Sequence, residues 1–388
     1  MAVVYFDASR LFLRGGRSSP TGIDRVVFAY ARWLRARPDV RLTPVWSRMG
    51  YLSRLPLKRF DAILERVAER PGAAAGEGVW PALVAALQHP GEHSTCLRPK
   101  REAALVAREA RGYAAAGLSA LASPAELRLE PGALFVNVNH YGLEHPGLLN
   151  RLATAGVRPA VLIHDLIPVK FPEYCSPGAA PRHERRIEAS LRYADPLIAN
   201  SAATAHELAE FADARGLPPR RCTVAPLGLE PAFADAAPLE AAPYFVCVGT
   251  IEPRKNLSLL LSLWRRLADR LGPETPRLVL IGRRGWENEA VVDQLERSPA
   301  VLKYVHEVSN LGDAQVARLI RGAAALLSPS FAEGYNLPVI EALSLSTPVI
   351  ASDIAVHREL AAGAQLIDPL DGPAWLEALL AAGARRPP

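Results

Sequence analysis

The sequence predicts an α/β fold with two Rossmann-like domains, each built on a doubly wound parallel sheet. Apolar runs of strand length alternate with amphipathic helical stretches, as expected where helices cover both faces of a parallel sheet. The alternation occurs in two series, separated by a segment rich in alanine and proline. Because ligands of open α/β sheets bind beyond the carboxyl ends of the strands, the cleft between two such domains is the expected active site.

The first series begins with an apolar run at 3–7 and a loop rich in glycine, serine and proline at 15–20. The next segment predicts an amphipathic helix, because its apolar residues recur at helical spacing. These residues are Ile23, Val26, Val27, Tyr30 and Leu34. Residues from about 50 to 130 contain Ala-rich helical stretches broken by Pro-Gly pairs, so we expect a helical elaboration there. Compact apolar runs predict further strands at 133–139, 160–164 and 196–200.

The second series predicts more strands and the helices between them, of which 257–271 is a clear amphipathic example. Its strands are expected at 244–248, 277–281, 301–305, 324–329, 348–351 and 365–367. The segment that precedes the series has weak periodicity and is typical of a linker. The predicted divisions are an N-terminal domain at 1–228, a linker at 229–243, a C-terminal domain at 244–372 and a C-terminal helix or tail at 373–388.

Composition excludes several classes of protein. The 388 residues are 49% apolar, which is enough for a real core and excludes wholesale disorder. The cysteines lie far apart without paired spacing, which excludes a disulfide framework or a zinc ribbon and favours a reducing compartment. They are Cys96, Cys175, Cys222 and Cys247. A net charge of +5 permits an acidic small substrate or an anionic membrane surface but does not indicate nucleic-acid binding.

Hydropathy gives no sign of a membrane span, because no apolar stretch reaches the roughly 18 residues that a spanning helix needs. The N-terminal apolar run has no basic segment before it and meets a charge at Asp7, so it predicts a strand and not a signal peptide. We therefore expect a cytoplasmic protein, with peripheral contact at the inner face of the cell membrane as an option. The basic stretches 98–112 and 181–192 would either rest on anionic lipid or form solvated helix faces.

The most specific motif is SPSFAEGYNLPVIEALSLSTPVIASD at 328–353. A predicted strand leads into a loop, and a helix is expected to begin near Leu337-Pro338, with Asn336 as its N-cap. The unpaired N–H groups and partial positive charge of such a helix start suit a diphosphate. A glycine in the loop lets the backbone approach the ligand closely. The loop residues concerned are Glu333, Gly334, Tyr335 and Asn336.

Two glutamates flank this helix start. Glu333 in the loop can accept hydrogen bonds from sugar hydroxyls, and Glu341, expected within about the first turn, can accept them from a ribose diol. Taken singly, Glu341 would be a first-turn residue favoured by the helix dipole, and Glu333 a solvated loop acid. The complete motif favours the ligand-binding interpretation.

The segment EGYNLPVIEA, which contains Glu333-x7-Glu341, and the following TPVIASD resemble the signature of the retaining, nucleotide-sugar-dependent glycosyltransferases of family 4. The resemblance extends from the first strand to about Glu359 and is strongest over 160–360. Within this family, these segments resemble in particular the bacterial mannosyltransferase-like polysaccharide glycosyltransferases. It implies the GT-B fold, in which the N-terminal domain binds the acceptor and the C-terminal domain binds the nucleotide sugar.

Other segments match the same family. In VGTIEPRKNL the resemblance places Arg254 and Lys255 on the donor diphosphate. The forked guanidinium of arginine and the compact ammonium of lysine are complementary phosphate-binding groups. Many members have arginine directly after the glycine, where this chain has Thr250. In VLIHDLIPVKFPEY the resemblance implies that His164 contacts the donor sugar and helps to stabilise charge at the anomeric centre.

Weaker matches complete the implied site. Gly22, in the loop before the first long helix, would let the backbone approach the donor phosphate, and a polar pair after the strand at 196–200 would lie near the acceptor. The resemblance thus assigns catalytic roles to His164 and Glu333, and no residue to a metal. Donor binding falls to Gly22, Thr250, Arg254, Lys255, Gly334, Tyr335, Asn336, Leu337 and Glu341, and the acceptor side to Asp165, Asn200 and Ser201.

The activity implied is transfer of a hexosyl group from a nucleotide diphosphate sugar to a glycan or lipid-linked oligosaccharide in bacterial polysaccharide biosynthesis, with retention. The amino-acid sequence of the motifs favours GDP-mannose as the donor and leaves UDP-hexoses and deoxysugar donors open. The nucleotide sugar is a co-substrate, so no cofactor is expected, and the lack of an Asp-x-Asp motif favours metal-independent transfer. Two alternatives stay open: a nucleotide-sugar epimerase or phosphorylase on the same fold, and a non-catalytic nucleotide-sugar-binding protein.

Overall fold

The protein is described here by a computed structural model over residues 1–14, 21–48, 50–69, 78–89 and 127–384. Its contacts divide it into two units. The described part of the first lies within Met1–Arg70, Arg101–Pro172 and Pro177–Leu227, and that of the second within Pro71–Lys100, Glu173–Ser176 and Gly228–Pro388. Among these described residues, no helix combines the length and the apolar character that crossing a bilayer requires.

In its described part, the first unit contains the strands β1 (Ala2–Asp7), β2 (Val40–Arg48), β3 (Tyr51–Arg54), β4 (Leu134–Asn137), β5 (Arg158–Ile163), β6 (Leu197–Ala199) and β7 (Cys222–Val224). They form one sheet in the order β3-β2-β1-β4-β5-β6-β7. All neighbours are parallel except β3, which pairs antiparallel with β2. The carboxyl ends of β1, β4, β5 and β6 therefore lie side by side.

Helices cover both faces of this sheet, because successive side chains of a buried strand point to opposite faces. Phe6 of β1 packs in one apolar layer with Val27 and Phe60, whereas the adjacent Tyr5 packs in another with Leu191. Among the described residues, the helices as far as Leu227 are α1 (Ser9–Arg14), α2 (Gly22–Ala36), α3 (Leu57–Ala68), α4 (Val79–Gln88), α5 (Leu148–Thr154), α6 (Ile167–Lys170), α7 (Ala179–Tyr193) and α8 (Ala202–Ala214). All of them belong to the first unit except α4, which belongs to the second.

The second unit has the strands β8 (Tyr244–Val248), β9 (Arg277–Ile281), β10 (Val305–Val308), β11 (Ala325–Ser328), β12 (Val349–Ser352) and β13 (Gln365–Ile367). They form a parallel sheet in the order β10-β9-β8-β11-β12-β13. Its helices are α9 (Leu257–Leu271), α10 (Glu289–Arg297), α11 (Pro299–Tyr304), α12 (Asp313–Gly322), α13 (Leu337–Ser344), α14 (Ala355–Leu360) and α15 (Gly372–Gly383). The α/β class predicted from the sequence is confirmed in both units.

One predicted strand is wrong. Residues 301–305 were expected to be extended because they are apolar, but the chain there forms α11, and β10 begins only at Val305. Pro299 occupies the start of the helix, where its missing N–H costs nothing, and Val301 and Tyr304 share a buried face at helical spacing. A short apolar run therefore did not distinguish a buried helix from a buried strand.

Three strands were not predicted. The residues of β2 include Arg41 and Pro44, and those of β3 fall within the segment expected to be helical. Three residues make up β7, too few for a periodicity signal. All three lie toward the outside of the sheet order, where pairing with a neighbouring strand and not local pattern decides the conformation.

Two segments differ from the expected domain divisions. Helix α4 lies within 50–130, which we expected to elaborate the first domain, yet Leu83 and Leu87 are buried in the core of the second unit. The expected linker at 229–243 also contributes to that core through Phe233 and Leu239. Apolar side chains in segments of weak periodicity thus complete the core of the second unit.

Candidate functional site

The centre of the candidate site is a cluster of charged side chains at adjacent strand ends of the second unit. Because β8 pairs with β11 in parallel, the segments that follow these strands meet at the same edge of the sheet. Lys255 lies in a short 3-10 helix after β8, and Glu333 lies in the loop after β11. The Lys255 Nζ is 2.5 Å from Glu333 Oε1, and Arg254 Nη1 is 2.6 Å from Glu333 Oε2. The structure thus brings together three residues that the sequence had singled out.

The cluster is buried and balanced in formal charge. The side chains of Lys255 and Glu333 are 9% and 6% exposed, so their charges interact with little screening by water. Arg254 also pairs with Glu252, with its Nε 2.6 Å from Glu252 Oε1. The cluster therefore contains two carboxylates and two cationic side chains. The cluster accordingly holds its cations in place before any ligand binds.

The two acids respond differently to this environment. Burial acts to raise the pKa of Glu333, but the charges of Arg254 and Lys255 outweigh it and hold that pKa well below its usual range. Ser330 adds a hydrogen bond from Oγ to Glu333 Oε1 at 2.7 Å. For Glu252, burial dominates over the attraction of Arg254, and the pKa is raised. Glu333 is therefore the firmly ionised acid of the cluster.

A glycine makes room for Lys255. Gly249, directly after β8, has φ of +147°, and a Cβ at this position would lie 3.0 Å from Lys255 Cε and 3.2 Å from its Nζ. The next residue, Thr250, lies close to Gly285. A Cβ added to Gly285 would lie 2.8 Å from the Cγ2 of Thr250. Close packing of the backbone around Lys255 therefore explains the glycine, and Thr250 occupies the position where the family resemblance expects an arginine.

The start of α13 follows the cluster by a few residues. Asn336 occupies the N-cap position of α13, and Leu337 and Pro338 are the first two residues of the helix. The Asn336 side chain does not cap the helix. Its Nδ2 donates instead to Ser328 Oγ at 2.7 Å and to His357 Nε2 at 2.8 Å. The Asn336 side chain therefore does not cap the first turn, in which Pro338 has no N–H and the Val339 N–H donates to the Asn336 carbonyl oxygen at 3.0 Å.

The second glutamate of the motif lies deeper in the helix than expected. Glu341 is the fifth residue of α13 and not in its first turn, which carries no acid. It is buried, as are Tyr335 and Leu337. The helix has a small rise of 1.5 Å per residue, so Glu341 still lies only about one turn from the helix start.

In the first unit, His164 follows β5 and lies beside another buried histidine, His140. Its Nε2 is 2.9 Å from Val138 O, so this nitrogen carries the proton in the neutral ring. The ring of His140 lies 5.2 Å away and that of His183 lies 5.5 Å from His140. Burial lowers the pKa of His164 below its ordinary value. The histidine is therefore neutral at pH 7, with Nδ1 as an acceptor.

The residues expected on the acceptor side hold the backbone around His164. Asn200 Nδ2 donates to the carbonyl of His164 at 2.9 Å. Asp165 Oδ1 accepts from the Ile167 N–H at 3.1 Å, and Ser201 accepts from the Thr204 N–H at the start of α8. The first two contacts fix the chain just after the end of β5.

The loop before α2 contributes differently from the expectation. Gly22 is the first residue of α2, and the loop at 15–20 is outside the described residues. Thr21 and Asp24 form a capping box at this helix start. Asp24 also pairs with Arg10 at 2.6 Å. A carboxylate is thus already in place at the N-terminus of α2.

A buried polar network beside His164 was missed by sequence reasoning. Asp7, at the end of β1, accepts from the Ser9 N–H at 2.9 Å and from Asn137 Nδ2 at 3.1 Å, and Asn139 Nδ2 donates to its backbone carbonyl at 2.7 Å. Burial raises the pKa of Asp7 to about 6. The sequence did contain a signal for this network, because the apolar strands β1 and β4 each end in a polar residue, Asp7 and Asn137.

Other contributors to the site were also not predicted. They are Gly249, Glu252, Ser328, Ser330 and His357, each of which touches a predicted residue. Glu252 stands two residues before Arg254 in the sequence, which was a usable signal. In the described residues, no three His, Cys, Asp or Glu side chains form a group able to hold a metal ion.

Comparison with known proteins identifies the second unit and the fold. Residues 242–383 match the family model described as glycosyl transferases group 1. The architecture matches that of Anabaena HepE in complex with UDP, with a TM-score of 0.59 at 15% identity over 100% of this chain and 92% of that one. It also matches an S. aureus TarM mutant with a TM-score of 0.52 at 13% identity, over 67% of this chain and 50% of that one. These neighbours establish the GT-B fold.

Curated relatives are named as mannosyltransferases. The serotype-specific mannosyltransferase WbdA of Escherichia coli is 30% identical over 234 residues, which are 55% of this chain and 28% of WbdA. The O-antigen chain mannosyltransferase RfbU of Salmonella typhimurium is 34% identical over 140 residues, 35% of this chain and 37% of RfbU. The chain thus spans well under half of the length of these relatives.

Proposed function

We propose that this chain, whose residues 242–383 form a glycosyltransferase group 1 domain on a GT-B fold, transfers a hexosyl group from a nucleotide diphosphate sugar to an acceptor hydroxyl. The acceptor is a glycan or a lipid-linked saccharide of bacterial polysaccharide assembly. The names of WbdA and RfbU as mannosyltransferases support this class of reaction.

The observation that carries the proposal is the charged cluster a few residues before a helix start that the Asn336 side chain does not cap. Arg254 and Lys255 are held by Glu333, and the loop of Glu333 leads within a few residues into α13. A helix N-terminus and a fixed pair of cations together suit a diphosphate. Since the cluster is neutral in formal charge, the helix amides supply the additional attraction for the phosphates.

The preferred donor in this proposal is GDP-mannose. Relatives named for mannosyl transfer support the sugar. HepE was crystallised with UDP and with UDP-glucose, which supports a nucleoside diphosphate while leaving the base to experiment. The base therefore has to be tested directly.

The mechanism that we propose retains the anomeric configuration. The bond from the anomeric carbon to the donor phosphate oxygen breaks, and the acceptor oxygen bonds to the same face of that carbon. The acceptor proton passes to the departing phosphate oxygen, so no enzymic nucleophile is needed. Lys255, Arg254 and the first amides of α13 stabilise the charge on the leaving diphosphate.

Other side chains orient the reacting groups in this scheme. Glu341 accepts from the ribose diol, and Glu333 accepts from a sugar hydroxyl while it holds Lys255. His164 uses its Nε2 for Val138, so its Nδ1 accepts a hydrogen bond from the donor sugar. Asn200 and Asp165 fix the backbone of His164 on the acceptor side.

A thermal-shift panel of GDP, UDP, GDP-mannose and UDP-glucose tests donor binding. Binding to the native state raises the unfolding temperature as ligand concentration increases. We expect GDP and GDP-mannose to stabilise the wild type, and a Lys255→Ala variant to lose this response while Lys303→Ala, an exposed lysine of the same unit, keeps it. Absence of any shift across the panel would contradict donor binding.

Product analysis separates the alternatives. Proton NMR of the glycoside formed from GDP-mannose and a lipid-linked acceptor distinguishes retention from inversion at the anomeric carbon. Conversion of the nucleotide sugar without an acceptor would indicate an epimerase instead. Binding without any turnover would indicate a non-catalytic protein.

Peripheral membrane contact is a separate part of the proposal. Residues 181–192 lie in α7, where Arg186 pairs with Glu144, whereas 98–112 lie outside the described residues. Exposed Arg182, Arg185 and Arg192 support contact of α7 with anionic lipid. Co-sedimentation with phosphatidylserine vesicles at low salt tests this contact, and a protein that stays in the supernatant contradicts it.

A further inference from the structure

Asn336 has an unusual backbone conformation at the start of the proposed donor site. Its φ of 70° and ψ of 65° lie in the left-handed region, which residues with a side chain adopt rarely and at a cost. Asparagine tolerates this region better than most residues. Here the conformation turns the loop that carries Glu333 into the first turn of α13. The direction of the first helix amides therefore depends on Asn336 staying in this conformation.

The side chain of Asn336 is held by two partners, one at the end of a strand and one in a helix. Its Nδ2 donates to Ser328 Oγ at the end of β11 and to His357 Nε2 in α14. His357 Nδ1 is in turn 2.7 Å from the carbonyl oxygen of Ser352, at the end of β12. The network thus joins the ends of two neighbouring strands to the start of the helix between them.

The contacts of His357 define its tautomer. A carbonyl oxygen only accepts, so the Nδ1 that faces Ser352 carries the ring proton. The Nε2 is then the lone-pair acceptor that the amide of Asn336 requires. His357 is 1% exposed, and burial lowers its pKa below the ordinary value. The neutral ring is therefore the form that satisfies both neighbours.

We propose that His357 is a positioning residue of the donor site, which acts by holding Asn336 in the left-handed conformation that directs the first amides of α13 toward the diphosphate. The inference rests on the proposed function for the presence of that diphosphate. His357 itself touches neither the donor nor the acceptor in this scheme. Its effect reaches the ligand through Asn336 alone, which gives the proposal a specific double-mutant test.

The first test compares two substitutions that differ in hydrogen bonding. His357→Phe fills similar space without a donor or an acceptor, and His357→Gln supplies both. We expect His357→Phe to raise the Kd for GDP, measured by calorimetry, roughly tenfold, the change that the loss of one or two buried hydrogen bonds produces. His357→Gln should restore most of the affinity. In turnover assays with GDP-mannose, the loss should appear in KM more than in kcat.

A matched control removes another buried histidine of the same unit. His306 lies in β10, and neither of its ring nitrogens has a hydrogen-bond partner. His306→Phe should leave the Kd for GDP unchanged within twofold, even if the unfolding temperature changes. If His306→Phe weakens GDP binding as much as His357→Phe does, the effect is general destabilisation and the proposal is overturned.

The second test uses a glycine, which adopts the left-handed conformation without support from a side chain. In an Asn336→Gly background, His357→Phe should change the Kd for GDP less than twofold, although it changes it roughly tenfold in the wild type. An equal loss in both backgrounds would overturn the proposal. If the wild type binds none of the nucleotides in the panel, the proposed function fails and the inference fails with it. If the wild type binds GDP and His357→Phe binds it equally well, only the inference fails.

Discussion

Lys255 and Glu333 are 78 residues apart in the sequence, and their side chains meet with Nζ 2.5 Å from Oε1 at the carboxyl edge of the second sheet. Both side chains are buried, and Glu333 is shared with Arg254 and Ser330. An ion pair at this depth is costly to break, because the remaining charge stays buried without its partner. The pair therefore links the stability of the second unit to its proposed binding function.

Removing one partner should destabilise the protein. We expect Glu333→Ala to lower the free energy of unfolding by about 3 kcal/mol, the usual range for a broken buried pair, as measured by urea denaturation without ligand. The matched control is Asp353→Ala, which breaks the exposed pair with Arg358, whose side chains are 40% and 63% exposed. This control should leave the free energy of unfolding nearly unchanged, because an exposed ion pair contributes little to stability. Equal effects of the two substitutions would contradict the buried-pair argument.

Gly249 should be hard to replace. A methyl group there would crowd the Lys255 side chain at 3.0 Å, and φ of +147° strains any residue with a Cβ. We expect Gly249→Ala to abolish the thermal shift by GDP and to lower stability by about 1–3 kcal/mol. As a control, Gly372→Ala at the start of α15 meets its nearest atom at 3.7 Å and should leave both properties nearly unchanged. A Gly249→Ala protein that binds GDP normally would argue against the tight packing.

Glu341 should act on donor affinity. Under the proposed function, Glu341→Ala removes an acceptor for the ribose diol and should raise the Kd for GDP by roughly tenfold to a hundredfold, the effect of a charged hydrogen bond. Calorimetry with GDP measures this directly. Glu377→Ala, an exposed glutamate in α15, serves as the control and should bind GDP as the wild type does. Unchanged affinity in Glu341→Ala would remove Glu341 from the donor site.

His164 should act on turnover and not on nucleotide affinity. Because its Nδ1 is assigned to the donor sugar, His164→Ala should lower kcat roughly tenfold or more while the Kd for GDP, which has no sugar, stays the same. Steady-state kinetics with GDP-mannose and calorimetry with GDP separate the two effects. A thermal unfolding curve like that of the wild type must accompany the result. Loss of GDP affinity equal to the loss of kcat would contradict the assignment.

Asp7 should make stability depend on pH in the direction opposite to most carboxylates. Burial raises its pKa from 3.8 to about 6 in the folded state, so folding favours the protonated acid. Its stabilising contribution is fully present below pH 3.8 and is lost as the pH rises through about 6. The difference corresponds to about 3 kcal/mol.

The Asp7→Asn variant tests this dependence, because the amide has no charge to bury. Urea denaturation at several pH values between about 4 and 7 gives the stability of each protein. The wild type should lose stability relative to Asp7→Asn across this interval. Parallel pH profiles for the two proteins would show that Asp7 does not titrate there.

Much of the architecture followed from local sequence patterns. Apolar runs between amphipathic helices predicted the strands β8 and β9 at their observed bounds, because strands buried on both faces carry little besides apolar side chains. The start of α13 at Leu337 followed from Pro338, whose preference for the first helical turn acts locally, although the Asn336 side chain does not cap the helix. Such features depend on neighbours in the sequence, and the sequence contains all the information needed to infer them.

The amino-acid sequence alone determined the α/β class, the position of α13 and the identity of the residues around it. Tertiary structure decided the partners: that Glu333 holds Arg254 and Lys255, that His357 supports Asn336, and that α4 completes the core of the second unit. These contacts join segments that are distant in the chain and become neighbours only through the order of the strands. Local propensity carries no information on that order, because it is set by which apolar faces pack together over the whole sheet.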